Sequence, residues 1–218
     1  MSTLALLIDL VALDLRDTGN ANWSSDEITQ HIRRALLDID DLQPQRLAAT
    51  VPCVAGAREY DLSALPGILR VYDLWYPYDA ANADEQPQRP PWHPLHDGAI
   101  YLDVDSAPST GETLRVFYLA RHTLSGLDGA AATTLNVRQQ SAIVLGATYL
   151  AAQQYAQDVI GAVTPSGWTP QQLGEWAERR ERTYRRALEE IRRAEVLMHD
   201  PRVPWVAAGR QDGRGGAI

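Results

Sequence analysis

The sequence contains no lysine, and all 20 of its basic residues are arginine. This absence excludes mechanisms that need a lysine amine, such as a Schiff base or the lysine of a phosphate-binding loop. Cys53 is the only cysteine, so the chain can form neither an internal disulfide nor a cysteine-based zinc site. We expect Cys53 to be a small core residue without redox chemistry.

Long hydrophobic runs are also missing, and acidic residues outnumber basic ones. The first apolar segment, residues 4–15, is too short to span a bilayer and contains Asp9 and Asp14. It also lacks the basic start and cleavage site of a secretory signal, so we expect a soluble, unexported protein with no membrane contact. The net charge is −8, and residues 51–135 contain 11 acidic residues against 5 arginines. This balance disfavours a nucleic-acid binder that reads sequence.

Two helices are predicted at the start of the chain. Ser24 and Glu27 have the spacing of a capping box, in which each side chain satisfies a free backbone N–H, so a helix is predicted to begin near Ser25. Its apolar residues then recur at helical spacing on one side only. Together with the apolar segment 4–15, it predicts an N-terminal helical hairpin in residues 1–48.

Two further helices are predicted in residues 136–199, where they would complete a bundle. Residues 137–158 are nearly uncharged and rich in small side chains, which predicts a central helix buried on most sides. A second helix is predicted to begin at Pro170, since proline is favoured at the first helical position. We place Leu36 and Leu150 in the core of this bundle. Residues 200–218 contain prolines and then several glycines, which predicts a flexible C-terminal tail.

Extended segments separate the two pairs of helices. From Thr50 the sequence contains TVPCV, AREYDL, GILRVYDLWYPY, GAIYLDV and TLRVFYLARHTL, which are rich in β-branched and aromatic residues. We predict a small antiparallel sheet within residues 49–135, with at least two strands covered on both faces. Residues 79–94, rich in alanine and proline, predict a long exposed loop. The predicted fold class is α+β, an α-helical bundle with an inserted small antiparallel β-sheet region and a flexible C-terminal tail.

Groups that could perform chemistry are sparse. His93, His96 and Asp97, with Asp103 nearby, could begin a metal site, which makes a small metal-dependent hydrolase one alternative. However, Pro94 between the histidines prevents the one-face helical geometry of a true metal-binding pair, and a polar loop entering a strand is the favoured interpretation. We therefore predict no enzyme activity, no catalytic residues, no metal and no cofactor.

Several residues are candidates for contacts with other proteins. The last helix carries a rough stripe of arginines, Arg179, Arg182, Arg186 and Arg193. Glutamates lie within a turn of them, which favours a solvated or subunit-facing surface over a phosphate-binding one. Trp75 and Trp176 fit a core, whereas Trp92 and Trp205 lie in proline-rich segments, where an exposed tryptophan is typical of an interface.

The order of these elements resembles the head-to-tail adaptor (connector) proteins of tailed bacteriophages. The resemblance spans roughly residues 1–198 and is carried by WSSDEI, AREYDLSALPGILRVYDLWY, GAIYLDVDSAPSTGETLRVFYLARHTL and LNVRQQSAIVLGATYLAAQQYAQ. It implies a structural protein of the virion neck, made in the host cytoplasm. It further implies a homo-oligomeric ring, typically a dodecamer, that lies between the portal protein and the tail and surrounds the DNA channel without sequence-specific binding. A different ring protein of the tail, such as a tail completion protein, is a second alternative.

The resemblance also assigns candidate contacts. Because the C-terminal segment of adaptors characteristically reaches the portal, we expect residues 200–218 to dock there, with Trp205 as the anchor beside Val203 and Val206. The candidates for contacts with tail proteins or with neighbouring copies are Trp92, Arg89, Arg179, Arg182, Arg186 and Arg193.

Overall fold

The computed structural model describes residues 2–19, 21–82, 88–96, 98–158 and 170–199. Its helices are α1 (Leu4–Leu15), α2 (Ser25–Leu42), α3 (Val137–Asp158) and α4 (Pro170–His199). Its strands are β1 (Gln45–Pro52), β2 (Glu59–Asp61), β3 (Ile68–Trp75), β4 (Trp92–Pro94), β5 (Ala99–Leu102) and β6 (Thr113–Ala120). Helices flank a β region along the chain, which confirms the predicted α+β class.

Local side-chain contacts set the starts of α2 and α3. The predicted capping box is present, since the Ser24 hydroxyl accepts a hydrogen bond from the Glu27 N–H at 3.2 Å and the Glu27 carboxylate accepts one from the Ser24 N–H at 2.8 Å. Asn136 and Gln139 make the same reciprocal contact before α3, at 3.0 and 2.9 Å. Both starts therefore satisfy backbone donors that would otherwise have no partner.

The helices share one hydrophobic core with α3 at its centre. Leu7 of α1, Ile32 of α2 and Tyr184 of α4 all belong to a buried cluster that includes Ile143 of α3. Small residues on α3 allow the other helices to approach it closely. A Cβ atom added at Gly146 would lie 2.7 Å from the ring of Tyr184 and 2.9 Å from the Ala35 Cβ. Glycine at this position therefore sets the distance between three helices.

We expect Gly146→Ala to lower the free energy of unfolding by about 1–3 kcal/mol, because overpacking forces neighbouring groups apart. The ring of Tyr184 cannot retreat freely, since its hydroxyl donates a hydrogen bond to Asp38 at 2.7 Å. The matched control is Gly174→Ala in α4, where no atom lies within 4 Å of an added Cβ. That variant should gain about 0.4–1 kcal/mol, since alanine is the better helix former. Urea unfolding followed by circular dichroism measures both, and shifts of the same sign would contradict the close packing.

The β region is a small sandwich of two antiparallel sheets. The first sheet has the strand order β1-β6-β3 and the second has the order β2-β5-β4. Val116 and Tyr118 from the first sheet and Tyr60 and Ile100 from the second lie in one buried cluster, so the sheets pack with these faces together. Cys53 is buried in the same cluster, as expected. The other face of each sheet points away from the sandwich core.

Two predictions for the β region are wrong in detail. Strands β3 and β6 are not covered on both faces, because in β6 every second residue is buried and the residues between them are only half-buried. Strand β1 begins at Gln45, earlier than the predicted start at Thr50. The early part was missed because Ala48 and Ala49 have low strand propensity.

The predicted loop 79–94 also contains regular structure. Residues Ala80–Asn82 form a short 3-10 turn, and Trp92–Pro94 form strand β4. Strand β4 pairs with β5, so that Trp92 lies opposite Leu102. Proline is tolerated there because β4 is an edge strand of its sheet.

One of the two predicted core leucines of the bundle is misplaced. Leu36 is buried in the helical core, whereas Leu150 is only half-buried and lies outside the core cluster. On α3 the core-facing residues are Ile143, Ala147 and Ala151, which recur every four residues. Leu150 lies seven residues after Ile143, and therefore only about 20° from it around the helix, but the elements packed against α3 leave its side chain partly exposed.

A polar junction joins the bundle to the sandwich. The Asp40 carboxylate accepts a hydrogen bond from the His122 N–H at 2.7 Å, and the His122 ring lies 2.9 Å from the Gln43 carbonyl oxygen. The Gln43 side chain donates to Glu195 at 3.0 Å, and Glu195 also forms an ion pair with Arg46 of β1 at 2.9 Å. These contacts fix the end of α2, the start of β1 and the C-terminal half of α4 to one another.

Candidate interaction surfaces

The outward face of the first sheet is basic and aromatic. The only charged residues in β1, β3 and β6 are Arg46, Arg70, Asp73 and Arg115, a net charge of +2. The strand register places Arg46 and Arg70 opposite Leu119, and it places Trp75 opposite Arg115. These residues lie on the side of the sheet opposite the sandwich core and therefore share the outward face. We call this surface the basic face.

Aromatic rings lie between the arginines of the basic face. The rings of Trp75 and Phe117 pack with their centroids 4.6 Å apart, and Tyr72 lies 6.3 Å from Phe117. The Arg46 guanidinium lies over the ring of Tyr72 at 5.6 Å, and Arg115 lies over a further tyrosine at 5.4 Å. Such contacts hold the guanidinium groups in place, and Arg46 also donates a hydrogen bond to Glu195 at 2.9 Å.

Asp73 is the single carboxylate on the strands of the basic face, and its contacts neutralise it locally. It accepts a hydrogen bond from the Trp75 indole N–H at 3.2 Å and forms an ion pair with Arg89 at 3.5 Å. Arg70 is exposed, and Arg115 donates a hydrogen bond to the Thr50 hydroxyl at 2.9 Å. Since Glu195 pairs with Arg46, the positive charge that this face presents comes mainly from Arg70 and Arg115.

The outward face of the second sheet is acidic. Strand β2 contributes Glu59 and Asp61, both exposed, and the only other group in the sheet that can carry charge is His93. Glu59 and His93 both lie opposite Tyr101, while Asp103 follows β5 with its carboxylate 3.9 Å from the His93 ring. Hydrogen bonds from Ser63 hold the pKa of Asp61 below its usual value, so this carboxylate stays ionised at neutral pH. We call this surface the acidic face.

The predicted metal-site residues are only partly brought together. His93 approaches Asp103, whereas His96 is exposed in the turn before β5, and Asp97 lies outside the described residues. Within the part of the chain that the structure describes, no three histidine, cysteine or acidic side chains converge as metal ligands would.

The sequence-predicted contact residues occupy several surfaces. Trp92 is half-buried against the sandwich core, and Arg89 lies beside the basic face. Trp176 packs against the helical core as expected, whereas Trp75 lies on the basic face and not in a core.

The arginine stripe of α4 is exposed. It comprises Arg179, Arg182, Arg186 and Arg193. The last of these forms an ion pair with Glu189 at 3.4 Å, which matches the predicted mixture of charges. Val203, Trp205 and Val206 lie outside the described residues.

An apolar stripe on α1 is a further exposed surface. Leu6, Leu10 and Leu13 are 45%, 40% and 62% exposed, and Val137 at the start of α3 is 78% exposed. A shallow groove between α1 and α3 is lined by Leu10, Leu13, Val137 and Val144. This stripe explains why α1 has apolar residues on more than one side. No helix in the described part of the chain is both long and apolar enough to cross a bilayer.

Sequence reasoning missed the basic face. Counting charges showed only that the β region is acidic, because Arg70 and Arg115 are far apart in the sequence and come to the same face only through the pairing of β3 with β6. The available signal was the position of Arg115 in β6, on the same side of the strand as Phe117 and Leu119, since a charged residue marks a face that is not fully buried.

Comparison with known proteins finds a match between residues 2–205 and the family model described as SU10 adaptor protein. No curated protein matches the chain. Among solved structures, the chain is similar to a protein in the neck of an empty gene transfer agent particle computed with C6 symmetry. The two sequences are 18% identical, the TM-score is 0.30, and the match covers 78% of this chain and 87% of that chain. A protein in the neck of the native particle computed with C12 symmetry matches at 19% identity and a TM-score of 0.30, over 80% of this chain and 89% of that chain.

Proposed function

Because the chain belongs to the SU10 adaptor protein family, we propose that it is a structural protein of the virion neck that joins the head to the tail. The family match over residues 2–205 is the observation that carries this proposal. The match also confirms the resemblance to head-to-tail adaptors noted from the sequence. In the proposed assembly, copies of the chain form a ring, typically a dodecamer, between the portal protein and the tail.

The fold suits such a position because one chain offers two kinds of surface. In this proposal, residues 1–48 and 136–199 form a helical bundle, and residues 49–135 form an inserted β unit with outward faces of its own. The polar junction at Asp40, Gln43 and His122 holds the two in a fixed relation. A subunit of this kind can contact neighbouring copies through one part and another neck protein through the other.

The charge of the chain supports a passive role toward DNA. At a net charge of −8, the protein repels phosphates overall, so DNA can pass through the proposed channel without binding tightly. The proposed role needs no catalytic step, metal or cofactor. The exposed arginines of α4, together with Trp92 and Arg89, are proposed contacts with the tail or with neighbouring copies.

Removing the gene from the viral genome tests this role. We expect DNA-filled heads without tails and the loss of infectious particles, because the proposed joint between head and tail would be missing. Supplying the wild-type chain from a plasmid should restore tailed particles, and electron microscopy with a labelled chain should place it at the neck. A silent substitution in the same gene serves as the control. Tailed, infectious particles that lack the chain would refute the proposal.

A further inference from the structure

The two outward faces of the sandwich carry opposite charge. The strands of the first sheet have three arginines and one aspartate, whereas those of the second sheet have Glu59 and Asp61 and no arginine. Since the sheets pack through their other faces, the basic face and the acidic face lie on opposite sides of the same unit. In a chain with a net charge of −8, the basic face is an exception that calls for a specific partner.

The basic face also has the composition of a protein interface. Tyr72 is 39% exposed, and Trp75 and Phe117 are half-buried beside it, so the rest of the described chain covers these rings only in part. Aromatic residues and arginine are the types most enriched at the centres of protein interfaces. Arg115 is already held over a tyrosine ring, which reduces the entropy lost when it binds a partner.

A second copy of this chain supplies the complementary surface. Its acidic face presents Glu59, Asp61 and Asp103, all exposed, around the half-buried ring of Tyr101. Guanidinium groups form their strongest hydrogen bonds with carboxylates, and matching surface charges select the correct partner. Nucleic acid is the weaker candidate, since the net negative charge of the chain opposes its approach.

We propose that neighbouring copies associate head to tail, with the basic face of one copy against the acidic face of the next. Arg70 and Arg115 then pair with carboxylates that include Glu59 and Asp103 of the neighbour. Because each copy uses two different faces on opposite sides, the contact repeats from copy to copy and closes into a ring when the rotation between copies permits. The inference rests on the proposed function for its biological setting, and it identifies the surface through which the proposed ring forms.

Charge reversal of the full-length chain tests the contact. The basic-face variant is Arg70→Glu with Arg115→Glu, and the acidic-face variant is Glu59→Arg with Asp103→Arg. Each variant alone should remain monomeric in sedimentation velocity at concentrations where the wild type assembles. We expect the dissociation constant between copies to rise at least about a hundredfold, because like charges then face each other. Wild-type assembly should also weaken as salt is added.

Mixing the two variants provides the decisive measurement. In an equimolar mixture, the reversed basic face meets the reversed acidic face, and the remaining native faces meet each other. The mixture should therefore assemble although neither variant does so alone. The matched control is Arg138→Glu with Arg192→Glu, which makes the same charge change at exposed positions of α3 and α4 outside the proposed contacts and should leave assembly unchanged.

Three outcomes would overturn the inference. The first is a wild type that stays monomeric at every concentration and salt tested. The second is a mixture of folded variants that fails to assemble, and the third is a control that dissociates as fully as the basic-face variant. Circular dichroism and thermal melting report whether each variant is folded. If the double variant unfolds, Arg70→Glu alone tests the basic face, because it alters only one exposed side chain. Assembly of that folded variant at wild-type affinity would also overturn the inference.

The inference and the proposed function fail in different ways. If particles assemble normal tails with the basic-face variant as their only copy, the contact is wrong while the neck role stands. If tails assemble with no copy of the gene at all, the neck role itself is wrong, whatever the purified protein does.

Discussion

Leu7→Ala is expected to lower the free energy of unfolding by about 2–5 kcal/mol, the usual cost of a cavity left by a buried leucine. Leu7 is 1% exposed in α1 and belongs to the core shared by all four helices. A loss of this size is a large fraction of the total stability of a typical domain. The helices should therefore unfold at a clearly lower denaturant concentration, which urea titration followed by circular dichroism measures.

Leu13→Ala is the matched control, since it makes the same substitution in the same helix. Leu13 is 62% exposed, so its removal should change the stability by no more than about 0.5 kcal/mol. The comparison separates burial from helix propensity, because both variants replace leucine with alanine inside α1. Equal losses for the two variants would mean that α1 does not pack through the face that contains Leu7.

The helices could be predicted from the sequence because their signals are local. The reciprocal contact of Ser24 and Glu27 spans three residues, and it correctly placed the start of α2 at Ser25. The central helix was predicted over Val137–Asp158, which are its observed limits. Such signals depend on spacing along one element, so a single sequence contains them in full.

The sheets were less predictable because strand pairing is not local. Strand β6 pairs with both β1 and β3, and the pairing brings Thr50 beside Arg115 across a long stretch of chain. The segments of β2, β4 and β5 are short, and nothing in their composition shows that they form a separate sheet. The two faces of opposite charge arise from this separation, so neither face could be recognised by counting charges along the sequence.

The depth at which each residue is buried was the weakest prediction. Leu150 was assigned to the core because it lies on the most apolar face of its segment, yet it is only half-buried, whereas the smaller Ala147 and Ala151 are buried in the core. Similarly, Trp75 was assigned to a core but lies on the outward face of β3. In both cases the neighbouring elements decide which side of a helix or strand is covered, and a single element does not specify its neighbours.

The C-terminal segment gives the second large effect. Deleting residues 200–218 should leave the fold and its melting temperature nearly unchanged, because the two clusters formed by the described residues already bury the helices and the strands. Circular dichroism and thermal melting of the truncated chain measure this directly. A large fall in melting temperature would show that the segment contributes to the fold itself.

We expect the same deletion to abolish attachment to DNA-filled heads that carry the portal. The segment contains Val203, Trp205 and Val206, an apolar cluster in a sequence otherwise rich in glycine and proline. An aromatic anchor on a short segment is a common way to gain a partner through ordering on binding, and removing such a tryptophan alone typically weakens binding at least about tenfold. Trp205→Ala should therefore reduce the occupancy of heads, whereas truncation after Ala208, which removes only the glycine-rich end, should preserve it. Heads purified by sedimentation and probed for the bound chain measure the occupancy, and normal occupancy by the chain lacking residues 200–218 would refute the docking role.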